Sequence, residues 1–201
     1  MSRLLSRYSN FLREKPLIAN SVSSIILFGT GDALAQLLFP KPGTSYDFER
    51  TMRNAIYGGL IFAPIVTPWY AFLGKKVRYP FKTFFGHKYS TSQGNLLNAA
   101  TRMSADQLIW APFGVPLYFA SMSLMQTKSL EETKKNIREK AWTTLINSYR
   151  VWPLFQMANF YFVKPDFRLF TVNIVSIFWN CYMSFVNYRS ADKRLNSDKA
   201  A

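Results

Sequence analysis

The chain is 201 residues long, 49% hydrophobic and 17% aromatic, and carries 25 Lys and Arg against 11 Asp and Glu, a formal net charge of +14. A single cysteine, Cys181, excludes an internal disulfide, and a single histidine, His87, with no cysteine near it, argues against a metal site. The basic residues sit between apolar runs, at 75–78, 134–140 and 189–194, which suits anionic lipid head groups and argues against direct nucleic-acid binding.

Residues 1–15 (MSRLLSRYSNFLREK) place Leu4, Leu5, Tyr8, Phe11 and Leu12 on one helical face, with Arg3, Arg7 and Arg13 mostly elsewhere. A basic, Ser-rich amphipathic helix of this kind targets chains to mitochondria or lies at a membrane interface. Five windows almost free of charge follow, at 17–40, 54–74, 103–127, 141–163 and 169–188. Each matches the roughly 20 residues that a helix rising about 1.5 Å per residue needs to cross a hydrocarbon layer of about 30 Å. The near-zero mean hydropathy, −0.04, averages these windows with highly charged connectors.

Pro16 opens the first window at a helix start, and the turn chemistry of residues 41–45 closes it. The second window holds Pro64 and Pro68, and a long polar connector, 75–102, leads to the third, which holds Pro112 and Pro116. Ser129 followed by Glu132 predicts a capping box opening an amphipathic surface helix over 128–140. Pro153 falls inside the fourth window, where it predicts a kink, and 164–168 links the fourth window tightly to the fifth. The expected organisation is a basic amphipathic segment at 1–15, a membrane helical bundle at 16–188 and a polar tail at 189–201. The fold class is all-α, a polytopic membrane bundle with four to five spans and short amphipathic connector helices. In a five-span arrangement Lys and Arg divide equally between the two sides, so charge does not set the orientation.

Small residues repeat every fourth position in two windows: Ala55, Gly59 and Ala63 in the second, Ala19/Ser23 and Gly31/Ala35 in the first. In lipid such ridges let helices approach closely and gain dispersion contact. Windows two and three also share a stretch. Ile61-Phe62-Ala63-Pro64-x-x-x-Pro68-x-Tyr70 matches Ile109-Trp110-Ala111-Pro112-x-x-x-Pro116-x-Tyr118. Each proline removes an intrahelical hydrogen bond and frees a carbonyl, so both helices should kink or break at mid-depth. Paired interrupted helices point to a transport path.

Only Asp32, Asp106 and Arg150 bring charge into the windows. Gln36 lies one turn from Asp32, Gln107 adjoins Asp106, and Asn147, Gln156, Asn159, Asn173 and Asn180 add amides to the last two windows. A lone carboxylate in hydrocarbon costs several kcal/mol, about 3 on insertion scales, so Arg150 is expected to pair with Asp32 or Asp106. The candidate pore or buried polar network is therefore Asp32, Gln36, Asp106, Gln107, Arg150, Gln156 and Asn159. Polar glue between helices and a water-filled path both fit it. No Ser–His–Asp set, metal cluster or phosphate-cradling glycine loop is present, so neither an enzyme nor a cofactor or metal is expected.

Trp152-Pro153-x-x-Gln156-x-x-Asn159-Phe160, with Val163, Arg168 and Trp179-Asn180-x-Tyr182-x-Ser184, resembles the peroxisomal membrane protein 2/4 family, also called the Mpv and 22-kDa peroxisomal membrane protein family. Gly31-Asp32, Gln36, Arg50, Arg53, Gly58, Pro64, Trp69-Tyr70, Asp106-Gln107 and Pro112 extend the likeness over roughly residues 16–188. Within the family the chain is most similar to the fungal, stress-inducible mitochondrial branch. The resemblance implies a multi-pass protein of the mitochondrial inner membrane (the peroxisomal membrane being the alternative), a channel for small solutes, and an indirect part in stress response and maintenance of mitochondrial DNA. A non-conducting scaffold for inner-membrane complexes or lipids is the competing reading. Implied partners are the bilayer, small solutes and a homo-oligomer or large inner-membrane complex. Where the family places proline directly after the valine, this chain reads Val163-Lys164-Pro165.

Overall fold

The computed structural model describes residues 3–40, 43, 45–80, 83–84, 87–88 and 90–179. Asn180, Cys181, Tyr182, Ser184 and the polar tail at 189–201 lie outside the described residues. Helices dominate: α1 (Arg3–Glu14), α2 (Pro16–Leu38), α3 (Phe48–Lys76), α4 (Thr91–Thr127), α5 (Leu130–Tyr149), α6 (Trp152–Phe162) and α7 (168–179). A two-residue ladder pairs Thr83 with Lys88 and Phe84 with His87. Helices α2, α3 and α4 are each long and apolar enough to cross a membrane, and the chain is an all-α membrane bundle. Leu60, Leu108, Leu154 and Phe162 stay more than two-thirds exposed while Asp32, Asn54, Asp106, Gln156 and Asn159 are buried. Water would select the reverse arrangement, and hydrocarbon selects this one.

Contacts divide the chain into two compact units, Lys15–Pro64 with Phe170–Ala201, and Met1–Glu14 with Ile65–Leu169. In the first unit, Pro16 starts α2 at a position where its missing N–H is not needed. Asp47 Oδ1 caps α3 by accepting from Arg50 N at 2.8 Å. The seam between α2 and α3 forms around Gly58 and Gly59. A Cβ on Gly58 would meet the Phe28 ring at 2.7 Å, and one on Gly59 would meet Ile25 and the Ser21 carbonyl. The small-residue ridge of the second window therefore faces Ser21, Ile25, Phe28 and Gly29 of α2, while Gly31 and Ala35 are buried on the same helix. Tyr57 and Phe62 close around Phe28, with ring centroids 5.8 and 5.1 Å away. Asn173 on α7 donates to Ser24 Oγ at 2.7 Å.

In the second unit, α1 docks on the 3-10 turn Pro165–Phe167. Arg13 Nε lies 3.0 Å from Asp166 Oδ2, Tyr8 faces the Phe167 ring, and Leu12 is buried. Helix α4 opens on a reciprocal capping box that was not anticipated, Ser90 with Gln93. The helix that this box opens takes in residues 91–102 of the polar connector. Lys128 takes a left-handed φ of 54° to turn α4 back against α5, and Asn136 donates to Ser123 Oγ at 3.1 Å across that hairpin. Ser129 caps α5 by accepting from Glu132 N, but its own N–H goes to Thr127 Oγ1 at 3.2 Å and not to Glu132.

The fourth window departs from expectation. It is not one helix: α5 ends at Tyr149, Arg150 and Val151 form a turn, and α6 begins at Trp152. Pro153 sits in the first turn of α6, so it starts a helix and does not kink one. The reason is local. Proline disfavours helical geometry at the residue before it and offers no N–H, which is harmless only in a first turn.

The shared proline stretch has a shared structure. Helix α3 runs through a π-helical segment at Tyr57–Phe62 and α4 through one at Asp106–Trp110. Both segments end on the aromatic residue before the Ala-Pro pair, Phe62 and Trp110. The two helices are not broken there, and α-helix resumes through Pro68 and Pro116. A widened turn takes up the residue whose amide hydrogen bond Pro64 or Pro112 cannot make.

Candidate functional site

Asp32, 4% exposed, lies on the face of α2 that meets the first turns of α3. Its Oδ1 accepts from Arg50 Nε at 2.8 Å and Asn54 Nδ2 at 3.1 Å. Its Oδ2 accepts from Gln36 Nε2 and Thr51 Oγ1, both at 2.8 Å. These four donors fill the four lone-pair sites of a carboxylate. Gln36 extends the lock: its Oε1 accepts from Asp47 N at 2.8 Å and its Nε2 donates to Asp47 O at 2.9 Å. Arg53 adds an ion pair to Glu49 at 3.2 Å on the exposed side.

The expected pairing with Arg150 is not found. Arg50 neutralises Asp32, and Arg150 is exposed and donates to Asn147 Oδ1 at 3.4 Å. Arg50 lies outside the charge-free windows, but α3 begins early enough to bring it within reach. Arg50 and Asn54, four residues apart on one helix, share the same carboxylate oxygen, which is the spacing that could have revealed them.

Asp106, 1% exposed, sits at the start of the π segment of α4. Oδ1 accepts from Trp69 Nε1 at 3.0 Å, and Oδ2 accepts from Gln107 Nε2 at 2.9 Å and Gln156 Nε2 at 2.8 Å. Among the described residues no cation lies within ion-pair distance of it. Gln156 Nε2 also reaches the Tyr70 hydroxyl at 2.6 Å, and its Oε1 accepts from Asn159 Nδ2 at 3.0 Å. The carbonyl of Gln107, which a π register would pair with residue 112, faces a proline without an N–H. It accepts from Tyr149 OH at 3.0 Å instead.

Two arginines end the network. Arg168, 5% exposed, donates from Nε to Val163 O and from Nη2 to Phe160 O, each at 3.1 Å, and stacks 5.3 Å above the Phe160 ring. It thereby satisfies the last carbonyls of α6. Burial first, and the charge of Arg102 second, pull its guanidinium down to about 10, which leaves it charged at neutral pH. Arg102 donates to the carbonyls of Leu73 and Val77 at 3.1 Å and of Gly74 at 3.2 Å, closing the end of α3 in the same way. Three side-chain atoms of this set, Gln107 Oε1, Asn159 Oδ1 and Arg168 Nη1, are buried with no hydrogen-bond partner.

The structure thus gathers Asp106, Gln107, Gln156 and Asn159 into one network within one unit, and Asp32 and Gln36 with all their named partners into a separate network within the other. Arg50, Thr51, Asn54, Trp69, Tyr70, Arg102 and Arg168 belong to these networks without having been singled out by chemistry. Five of them lie at the edges of the windows or outside them, where polar residues carry no surprise.

The family model described as "Mpv17 / PMP22 family" matches residues 123–184. Protein SYM1 of Kluyveromyces lactis is 41% identical over 197 residues, covering 97% of this chain and 95% of the relative. Protein SYM1 of Saccharomyces cerevisiae is 40% identical over 193 residues, covering 95% and 93%. Protein sym-1 of Neurospora crassa is 37% identical over 185 residues, covering 92% and 99%. No solved structure matches the chain. Near-complete coverage at this identity, together with the helical membrane architecture, means that the chain belongs to the Mpv17/PMP22 family.

Proposed function

We propose that this protein is a channel-like passage for small solutes in the mitochondrial inner membrane, with Asp106, Gln107, Gln156 and Asn159 lining or gating the path. The observation that carries the reading is the set of buried, unpartnered polar atoms on that network. Polar groups that serve only as glue are paired, and atoms left open inside a bundle are the kind that water or a polar solute satisfies. The π segment at Asp106 adds to it, since such segments gather at functional positions. Amphipathic, Arg-bearing α1 favours the mitochondrial location. A part in stress response and in maintaining mitochondrial DNA follows from the family resemblance and acts indirectly, through solute traffic.

Purified full-length protein in planar bilayers is expected to show discrete conductance, altered by Asp106→Asn and by Gln156→Leu. Arg150→Gln, on an exposed turn, is expected to leave it unchanged. Silent bilayers from well-folded protein would sink the reading. A non-conducting scaffold is the second reading, favoured by Asp32, whose lone pairs are all filled by fixed donors. It predicts co-migration with a large complex on native gels and no conductance.

A further inference from the structure

The end of α3 gathers positive charge that no described carboxylate neutralises. Gly74 is the last residue of the charge-free window, and Lys75, Lys76 and Arg78 follow it. Arg102 Nη2 lies 3.2 Å from the Gly74 carbonyl, and Arg168 Nη1 lies 3.7 Å from where a Gly74 Cβ would stand. Two guanidiniums therefore meet at one glycine, and Arg102 Nε lies 3.1 Å from the carbonyl of Val77, the residue before Arg78. Asp166, two residues from Arg168, is held by Arg13 at 3.0 Å, and Asp106, one turn along α4 from Arg102, is held by Trp69, Gln107 and Gln156 without an ion pair. Backbone carbonyls absorb Nε and Nη2 of both arginines, and carbonyls carry only partial charge. Nη1 of Arg168 is buried with no hydrogen-bond partner among the described residues.

Arg78 is exposed, Arg102 half-buried and Arg168 buried, so positive charge extends from the surface inward at this helix end. Guanidinium forks match the oxygens of phosphate, and a group carrying more than one negative charge gains most from several unneutralised cations. The window ends at Gly74, so this positive charge opens at the membrane–water boundary.

We propose that Arg78, Arg102 and Arg168 form a binding site for a phosphate-type oxyanion at the end of α3. The oxyanion comes either from a soluble phosphate compound or from a lipid head group. Arg78 and Arg102 meet it first, and Arg168 contributes its charge from behind and its free Nη1 as the anion settles. The site stands independently of whether the bundle conducts.

The test uses full-length protein in detergent, titrated with inorganic phosphate by calorimetry, and in parallel mixed with phosphatidylglycerol and read by native mass spectrometry. Saturable phosphate binding with little lipid retention assigns a soluble anion, and retention of lipid with weak phosphate binding assigns a head group. In either case Arg78→Glu, an exposed change that leaves the helix-end carbonyls untouched, should weaken the ligand about fivefold or more. Arg168→Gln, where it folds, should weaken it roughly tenfold or more. If wild type holds neither ligand saturably, or if Arg78→Glu binds as wild type does, the site does not exist. Conductance in the same preparation is a separate reading, so loss of one does not imply loss of the other.

Discussion

Asp32→Ala is expected to destabilise the protein by about 3 kcal/mol, the low end of the range for breaking a buried ion pair, because Arg50 keeps some access to solvent. The substitution removes the acceptor for four donors at once, those of Arg50, Asn54, Gln36 and Thr51. Each must then find water or stay unpaired at the α2–α3 contact. Thermal unfolding in detergent micelles measures the loss. The pairing itself is isolated by a double-mutant cycle with Arg50→Gln, whose combined effect should fall short of the sum of the single changes. Additive losses, or an Asp32→Ala protein as stable as wild type, would show that the ion pair is incidental.

Gly59→Ala is the second large effect, expected to destabilise by about 2 kcal/mol through overpacking of the same seam. The new methyl group would collide with Cγ1 of Ile25, a β-branched side chain held to one rotamer in a helix, and would sit 3.2 Å from the Ser21 carbonyl of the helical backbone. Gly29→Ala supplies the control. Its Cβ would rest 3.5 Å from the Ala55 Cβ, an ordinary contact, and alanine is the better helix former by about 1 kcal/mol. Gly29→Ala should therefore be neutral or slightly stabilising. Equal behaviour of the two glycines in a thermal-shift series would contradict the packing described for α2 and α3.

The spans α2, α3 and α4 were legible because lipid imposes a local rule: a crossing helix keeps nearly all charge out of the stretch that meets hydrocarbon. The repeat around Pro64 and Pro112 was legible for a similar reason, since a missing N–H acts on the same chain one turn away. Its outcome, a π segment in place of a kink or break, was not, because absorbing the missing bond depends on what holds the widened turn. At Gln107 that support is Tyr149, 42 residues distant in the chain. The fourth window misled because its composition is mostly apolar from end to end, while Pro153 divides it by backbone geometry that composition does not register.

The sequence by itself determined that Asp32 and Asp106 need company, since a carboxylate inside an apolar helix must be solvated by donors wherever the helix lies. Only the tertiary structure decided which donors serve. It gave Asp32 the cation Arg50 from just beyond a window and gave Asp106 the neutral groups of Trp69, Gln107 and Gln156. Arg150, the obvious partner by composition, was left on an exposed turn. The physical reason is reach: a hydrogen bond works only within about 3 Å. Which side chains come that close is set by helix register and by the glycines that let helices approach, neither of which a count of charges along the chain contains.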